Sequence, residues 1–169
     1  MKAQIIGIIV LVAVLVLAVA CGDGEVRPLP TSLGGFTVGE TFEPDGPEWR
    51  STDFGDMVQW EKQQGKDGMT IATDKDGKIQ IITLNLFLYS QTPEEGDKSL
   101  IQKYQDEIWE YKQAYKSIAA GKDKAGNEVF VDANIAMTVN LYMESAQGPT
   151  RYVKTIKTRA TYDEYTNRP

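Results

Sequence analysis

Chemistry in this chain has to be sought among carboxylates, one thiol and a cluster of cations, because its 169 residues include no histidine and a single cysteine. Without histidine there is no Ser-His-Asp or Cys-His nucleophile system, no usual zinc catalytic site, and no side chain suited by its ordinary pKa to shuttle protons near neutrality. Paired carboxylates could hydrolyse a glycosidic bond if two of them flanked it. Asp106, Glu107 and Glu110 are candidates by type, but Lys103 and Lys112 are interleaved with them, and the pattern reads as a solvated helix face. A glycan-acting hydrolase is therefore the weakest functional reading. Asp74-Lys75-Asp76-Gly77 has the alternating acids and glycine that open a calcium loop, yet position 12, where a bidentate glutamate belongs, is Asn85. A hairpin turn explains it better, and neither a metal nor a cofactor is expected.

The thiol is more informative. An apolar run from Ile5 to Ala20 follows Lys2 and ends in Ala18-Val19-Ala20, directly before Cys21. A short cationic region, an apolar stretch and small residues at the cut site make an export signal. Ala18-Val19-Ala20-Cys21 resembles the lipobox of bacterial lipoproteins, with Ala18 where that family prefers leucine. The resemblance implies a signal peptide over residues 1–20, and a thioether-linked diacylglyceryl group and acyl chains such as palmitate on Cys21. It also implies an extracytoplasmic, membrane-anchored protein, periplasmic or at the cell surface. Two other readings of the same residues stay open. Ala18-Val19-Ala20 fits an ordinary secretory cleavage site, and sixteen apolar residues, about 24 Å as a helix, are near the length of an uncleaved anchor. The lone thiol of an exported chain can form no internal disulfide, which favours lipidation.

These residues need a scaffold, and the rest of the chain specifies one. Residues 21–35 are dense in glycine and proline and read as a flexible tether; residues 36–169 are long enough for one domain with its own core. Phe36 opens the domain, a loop runs over residues 41–53, and Trp49 is expected to pin that loop to the core. Strands are expected at residues 57–62, 69–73 and 78–89, joined by turns containing Asp67-Gly68 and Asp76-Gly77. In the third, Ile82, Leu84, Leu86 and Leu88 share one face while Ile79, Ile81, Phe87 and Tyr89 share the other, as in a central strand. A helix starts at Thr92 or Ser99, and Leu100, Ile101, Tyr104, Ile108, Tyr111, Tyr115, Ile118 and Ala119 form its apolar stripe as far as Gly121. Odd-numbered apolar residues from Val129 to Met143 then keep one parity, as in one long strand or two joined by a small bend. Gln147-Gly148-Pro149 turns the chain into a last strand over residues 151–162. The fold class is α+β: an antiparallel sheet, made of a three-stranded meander plus a long C-terminal hairpin, with one amphipathic helix packed on a face.

Two surface features stand out. Trp109 lies roughly 130° from the centre of the helix's apolar stripe, so the largest side chain of the helix points away from the core, unless residues 41–53 or the C-terminal tail fold over it. Arg151, Lys154, Lys157 and Arg159 put four cations and no anion into nine residues of a chain whose net charge is −6. They would either guard an edge strand or dock an anionic surface such as lipid headgroups, cell-wall polymer or an acidic partner. Nucleic acid is not an expected partner of so acidic a chain.

Val58-Gln59-Trp60, Met69-Thr70-Ile71 and Asp76-Gly77-Lys78-Ile79 also resemble the hairpin of small outer-membrane assembly lipoproteins of the SmpA/OmlA type. Upstream, where that family places helices, this chain has Pro44, Gly46 and Pro47, so no function or site is carried over. The sequence therefore supports a non-catalytic, membrane-anchored lipoprotein of the cell envelope that contacts an envelope protein or an anionic surface through Trp109 and the cationic strand. The alternative is an extracytoplasmic small-ligand-binding domain with a pocket between helix and sheet lined by Tyr104, Tyr111 and Tyr115.

Overall fold

The computed structural model describes residues 27–65, 67–88, 95–143 and 150–166. The signal peptide, Cys21, the helix start at Thr92 and the Gln147-Gly148-Pro149 turn lie outside them. Strands β1 (Ser32–Leu33) and β2 (Phe36–Thr37) form a small hairpin. They are followed by β3 (Trp49–Asp53), β4 (Val58–Gln64), β5 (Asp67–Thr73), β6 (Ile79–Leu88) and helix α1 (Glu95–Ala114). A 3-10 turn (Lys116–Ile118) leads to β7 (Ala119–Lys122), β8 (Glu128–Val131), β9 (Ile135–Met143), β10 (Thr150–Thr158) and helix α2 (Arg159–Thr166). The larger strands make one eight-stranded antiparallel sheet in the order β3-β4-β5-β6-β10-β9-β8-β7. This is the α+β class the sequence predicts, with a larger sheet: two four-stranded meanders, before and after α1, are joined through β6 and β10.

Each added strand has a local cause. The sequence reads as loop over β3 because only Trp49 in it is apolar; as an edge strand paired on one side to β4, it has few positions to bury. Helical spacing carried the expected helix to Gly121, but α1 ends at Ala114, and residues 119–122 turn outward into β7, where Gly121 at φ +92° accompanies a bulge. The long strand over residues 129–143 is a tight hairpin. Asp132 Oδ1 accepts the amides of Asn134 and Ile135, both at 2.8 Å, and the Asp132 amide reaches the Ile135 carbonyl at 2.9 Å. The reversal flips the parity: Phe130 pairs with Met137 on the core face, whereas Val129 pairs with Thr138 on the other. β10 stops at Thr158, whose hydroxyl accepts the Thr161 amide and caps α2, so Ala160 and Tyr162 are helical.

One cross-strand row defines the core. Ile71, Ile82, Ile156, Met137 and Phe130 stand side by side on β5, β6, β10, β9 and β8, and all are buried. Ile79 joins them, although alternation places it opposite Ile82, because a bulge at Ala72/Thr73 adds one residue to β6. α1 covers β6 and β9 on this face. The β3–β5 side is covered by the N-terminal segment, where Phe36, Phe42, Trp49 and Trp60 pack ring against ring with centroids 5.0–5.8 Å apart. Trp49 is thus a core residue, as expected. Of the tether expected over residues 21–35, the part from Leu29 on belongs to the domain, because Leu29 and Leu33 are buried and the Leu29 amide donates to Asp132 Oδ2 at 2.9 Å. The two leucines make an anchored strap of a stretch whose prolines and glycines suggest a linker.

Candidate functional site

The cationic strand does not form one surface. β10 lies between β6 and β9 and is paired on both sides along its length, so neither edge protection nor an open basic edge describes it. Lys154 points into the core side between Leu84 and Val139 and is only 9% exposed. Arg151 lies over the Tyr142 ring at 5.3 Å. Lys157 lies 5.9 Å from the ring centroids of Tyr162 and Tyr165, and burial pushes its ammonium pKa down. Arg159 is held by Asp163 at 2.8 Å and donates to the Asp132 carbonyl at 3.1 Å. Each of the four expected contact cations has an intramolecular neighbour, and Lys154 is removed from any surface.

Lys154 belongs instead to a polar knot under α1. Its ammonium hydrogen-bonds to the Tyr111 hydroxyl and lies 3.4 Å from Glu107 Oε1; the Tyr111 hydroxyl donates to the same oxygen at 2.6 Å. Burial, then the hydrogen bond to Glu107, pushes the Tyr111 pKa above its ordinary value. Glu107 is therefore turned to the edge of the buried stripe rather than lying wholly on the solvated face. The three tyrosines expected to line a pocket are packed: Tyr104 stacks on Tyr152 at 4.2 Å, Tyr111 lies 6.1 Å from Tyr115, and Tyr115 meets Phe130 at 5.9 Å. Asp106 accepts from Gln102 one turn away at 2.8 Å, an ordinary exposed helix pair. Asp74 does turn work, taking the amides of Asp76 and Lys78 on Oδ1 at 3.0 and 2.9 Å.

Trp109 is where the sequence puts it. Its side chain is 62% exposed on the outward face of α1, ringed by exposed Gln105, Asp106, Lys112 and Gln113. Neither segment that could have covered it does: Phe42 and Trp49 are in the aromatic cluster beside β4, and α2 packs on β9 and β10. An exposed tryptophan within a polar rim has the composition of an interface hot spot.

Protein-family models, curated proteins and solved structures give no match to this chain.

The structure adds a second site that pattern reading missed. A groove of about 520 Å³ runs between the β1–β2 hairpin and strands β4–β6, with Phe36, Trp49, Met69, Leu84 and Leu86 as apolar walls. Its charged end is ordered. Trp49 Nε1 donates to Asp45 Oδ1 at 2.6 Å, and the Lys62 ammonium lies 3.2 Å from that oxygen and 2.7 Å from Glu48 Oε1. The indole hydrogen bond, then Lys62, holds the Asp45 carboxyl below its usual range, and both carboxylates raise the Lys62 pKa. Met69 and Leu84 are alternate strand positions that read as ordinary core. Gly34, Gly35 and Gly68 complete the lining, and Met69 packs so closely on Gly34 that a Cβ there would collide with its methyl group. Among the described residues, no group of three or more histidine, cysteine or acidic side chains is placed to hold a metal ion.

Proposed function

We propose that this protein is a non-catalytic lipoprotein of the cell envelope, extracytoplasmic and held to a membrane through lipidated Cys21, whose domain binds a protein partner through the outward face of α1. The observation that carries the partner reading is Trp109, exposed inside a polar rim on a helix whose opposite side packs on the sheet through Tyr104, Ile108, Tyr111 and Tyr115. Such a face adds little to stability, which leaves its chemistry free for recognition. The anchor rests on the sequence of residues 1–21.

A second reading, small-ligand binding, is favoured by the groove between the β1–β2 hairpin and the sheet, whose apolar walls and few ordered polar groups suit a small molecule. It replaces the tyrosine-lined pocket, which the packing of Tyr104 and Tyr115 fills.

One experiment tests the anchor and the partner, and shows which face of the domain the partner uses. In intact cells, wild-type protein should incorporate a clickable fatty acid and crosslink to a discrete partner, whereas Cys21→Ser should lose the fatty acid. Trp109→Ala should keep its melting temperature and lose the partner, while Leu86→Trp, which fills the groove, should keep it. A partner lost with Leu86→Trp and kept with Trp109→Ala would move the site to the groove.

A further inference from the structure

We infer that the end of the domain bearing Phe54 and Tyr165 rests on the surface of the bilayer that holds the anchor, with both rings among zwitterionic headgroups; this rests on the anchoring of Cys21 proposed above. The first reason is where the described chain begins. Cys21 is separated from Arg27 by six peptide steps, at most about 21 Å of extended chain. Two residues further on, Leu29 is pinned to Asp132 in the β8–β9 turn. Asp132 and Asn134 are in turn bonded to Arg159, the first residue of α2, through the Arg159 guanidinium and amide at 3.1 and 2.7 Å. Tyr165 lies six residues along that helix, about 9 Å at the usual rise. The anchor therefore joins the domain close to α2.

The second reason is what this end displays. Among the described residues the large exposed hydrophobic side chains are Phe54 at 65%, Trp109 at 62% and Tyr165 at 49%. Phe54 and Tyr165 border one groove of about 420 Å³, on apolar walls of Met57, Ala72 and Ile81. Phe54 is held at the tip of the β3–β4 turn: its amide donates to the Met57 carbonyl at 2.9 Å, and Gly55, at φ +83°, donates to Asp53 Oδ1 at 2.7 Å. A ring presented by so short a turn costs little further ordering when it enters another medium. Aromatic side chains with an apolar body are favoured at the membrane–water interface, and a tyrosine keeps its hydroxyl in the wet layer.

The third reason is charge, which selects the lipid. Asp56 and Glu164 line the groove beside Phe54 and Tyr165 and Asp53 directly precedes Phe54, whereas of the nearby cations Lys157 is engaged with the Tyr165 ring at 5.9 Å, Lys75 is paired with Asp56 at 3.0 Å and Arg159 with Asp163 at 2.8 Å. Such an end is repelled by an anionic leaflet, so burial of aromatic area provides the attraction and a zwitterionic surface is the matching occupant.

The test uses the lipidated protein processed to begin at Cys21, in phosphatidylcholine vesicles that contain a lipid with a nitroxide on its headgroup. An environment-sensitive dye is placed at Asp56→Cys, beside Phe54, or at Gln63→Cys, toward the far end of β4; the thioether at Cys21 leaves no second thiol to label. The dye at 56 should be quenched several-fold more than the dye at 63. Adding Phe54→Ser and Tyr165→Ser should bring it down to the level at 63 while flotation with the vesicles persists through the anchor. Equal quenching at both positions in protein that floats, stronger quenching at 63, or energy transfer between molecules labelled at 56 without quenching, which would mean a second copy covers the rings, each overturns the inference and leaves the anchor standing. Failure to float overturns the anchor itself, and the inference with it.

Discussion

Ile156→Asp should leave the protein without a cooperative thermal transition. Ile156 is fully buried between Ile82 and Met137, with Ile71 and Phe130 beyond them, so every cross-strand neighbour of an aspartate there is apolar. Burying an unpaired carboxylate costs several kcal/mol, and removing the isoleucine from its row adds about 2–5 kcal/mol, against a total stability of about 5–15 kcal/mol. Val139→Asp should be milder although Val139 is equally buried, because Lys154 stands opposite it on β10 and offers a counter-charge. Ala133→Asp, in the exposed β8–β9 turn, should be nearly silent. Circular dichroism melts of the three proteins check the order, and a transition in Ile156→Asp within a few degrees of wild type would show that the register is wrong.

Lys154→Met should lower stability by about 2–4 kcal/mol, since removing one partner leaves Glu107 and the Tyr111 hydroxyl facing an apolar sheet. Glu107→Gln alone should cost less, because the amide still accepts a hydrogen bond and the glutamate is partly in contact with water. The double variant should recover part of the loss: with neither charge present there is nothing unpaired to desolvate, and methionine keeps the lysine stem's packing. Urea denaturation of the four proteins closes the cycle. Strict additivity of the two losses would mean that the knot contributes no coupling between helix and sheet.

Where the sequence was legible, a backbone requirement coincided with a residue that meets it. Asp74 and Gly77 mark the β5–β6 turn because glycine takes φ +75° there and the carboxylate closes the loop on two amides. The β8–β9 turn was not legible because Asp132-Ala133-Asn134 makes an equally tight reversal with no positive φ and no glycine, and the apolar alternation around it continues by coincidence. β3 was hidden by its edge position, and residues 119–122 by an accident of helical spacing in Ile118 and Ala119. The candidate site divides the same way. Trp109 was legible because helical geometry fixes the direction of a side chain from spacing alone. The fate of Lys154 was not, because whether a strand is central or at an edge depends on pairing partners far away in the chain. The same cations read as a surface until β6 and β9 are placed beside them.

The junction of the two meanders has a consequence for how the chain reaches this fold. Within each meander, neighbouring strands are joined by short connections that close in microseconds; β6 and β10 can meet only after the whole segment carrying α1, β7, β8 and β9 has been brought round. That step sets the contact order and should limit the folding rate. Until it is complete, β6 is an open edge, and Ile79–Leu88 contains no charged residue and no proline to discourage pairing with another chain. The strand at the centre of the finished sheet is thus the most association-prone segment of the unfinished one, and Arg151, Lys154 and Lys157 of β10 reach it only when the two halves close.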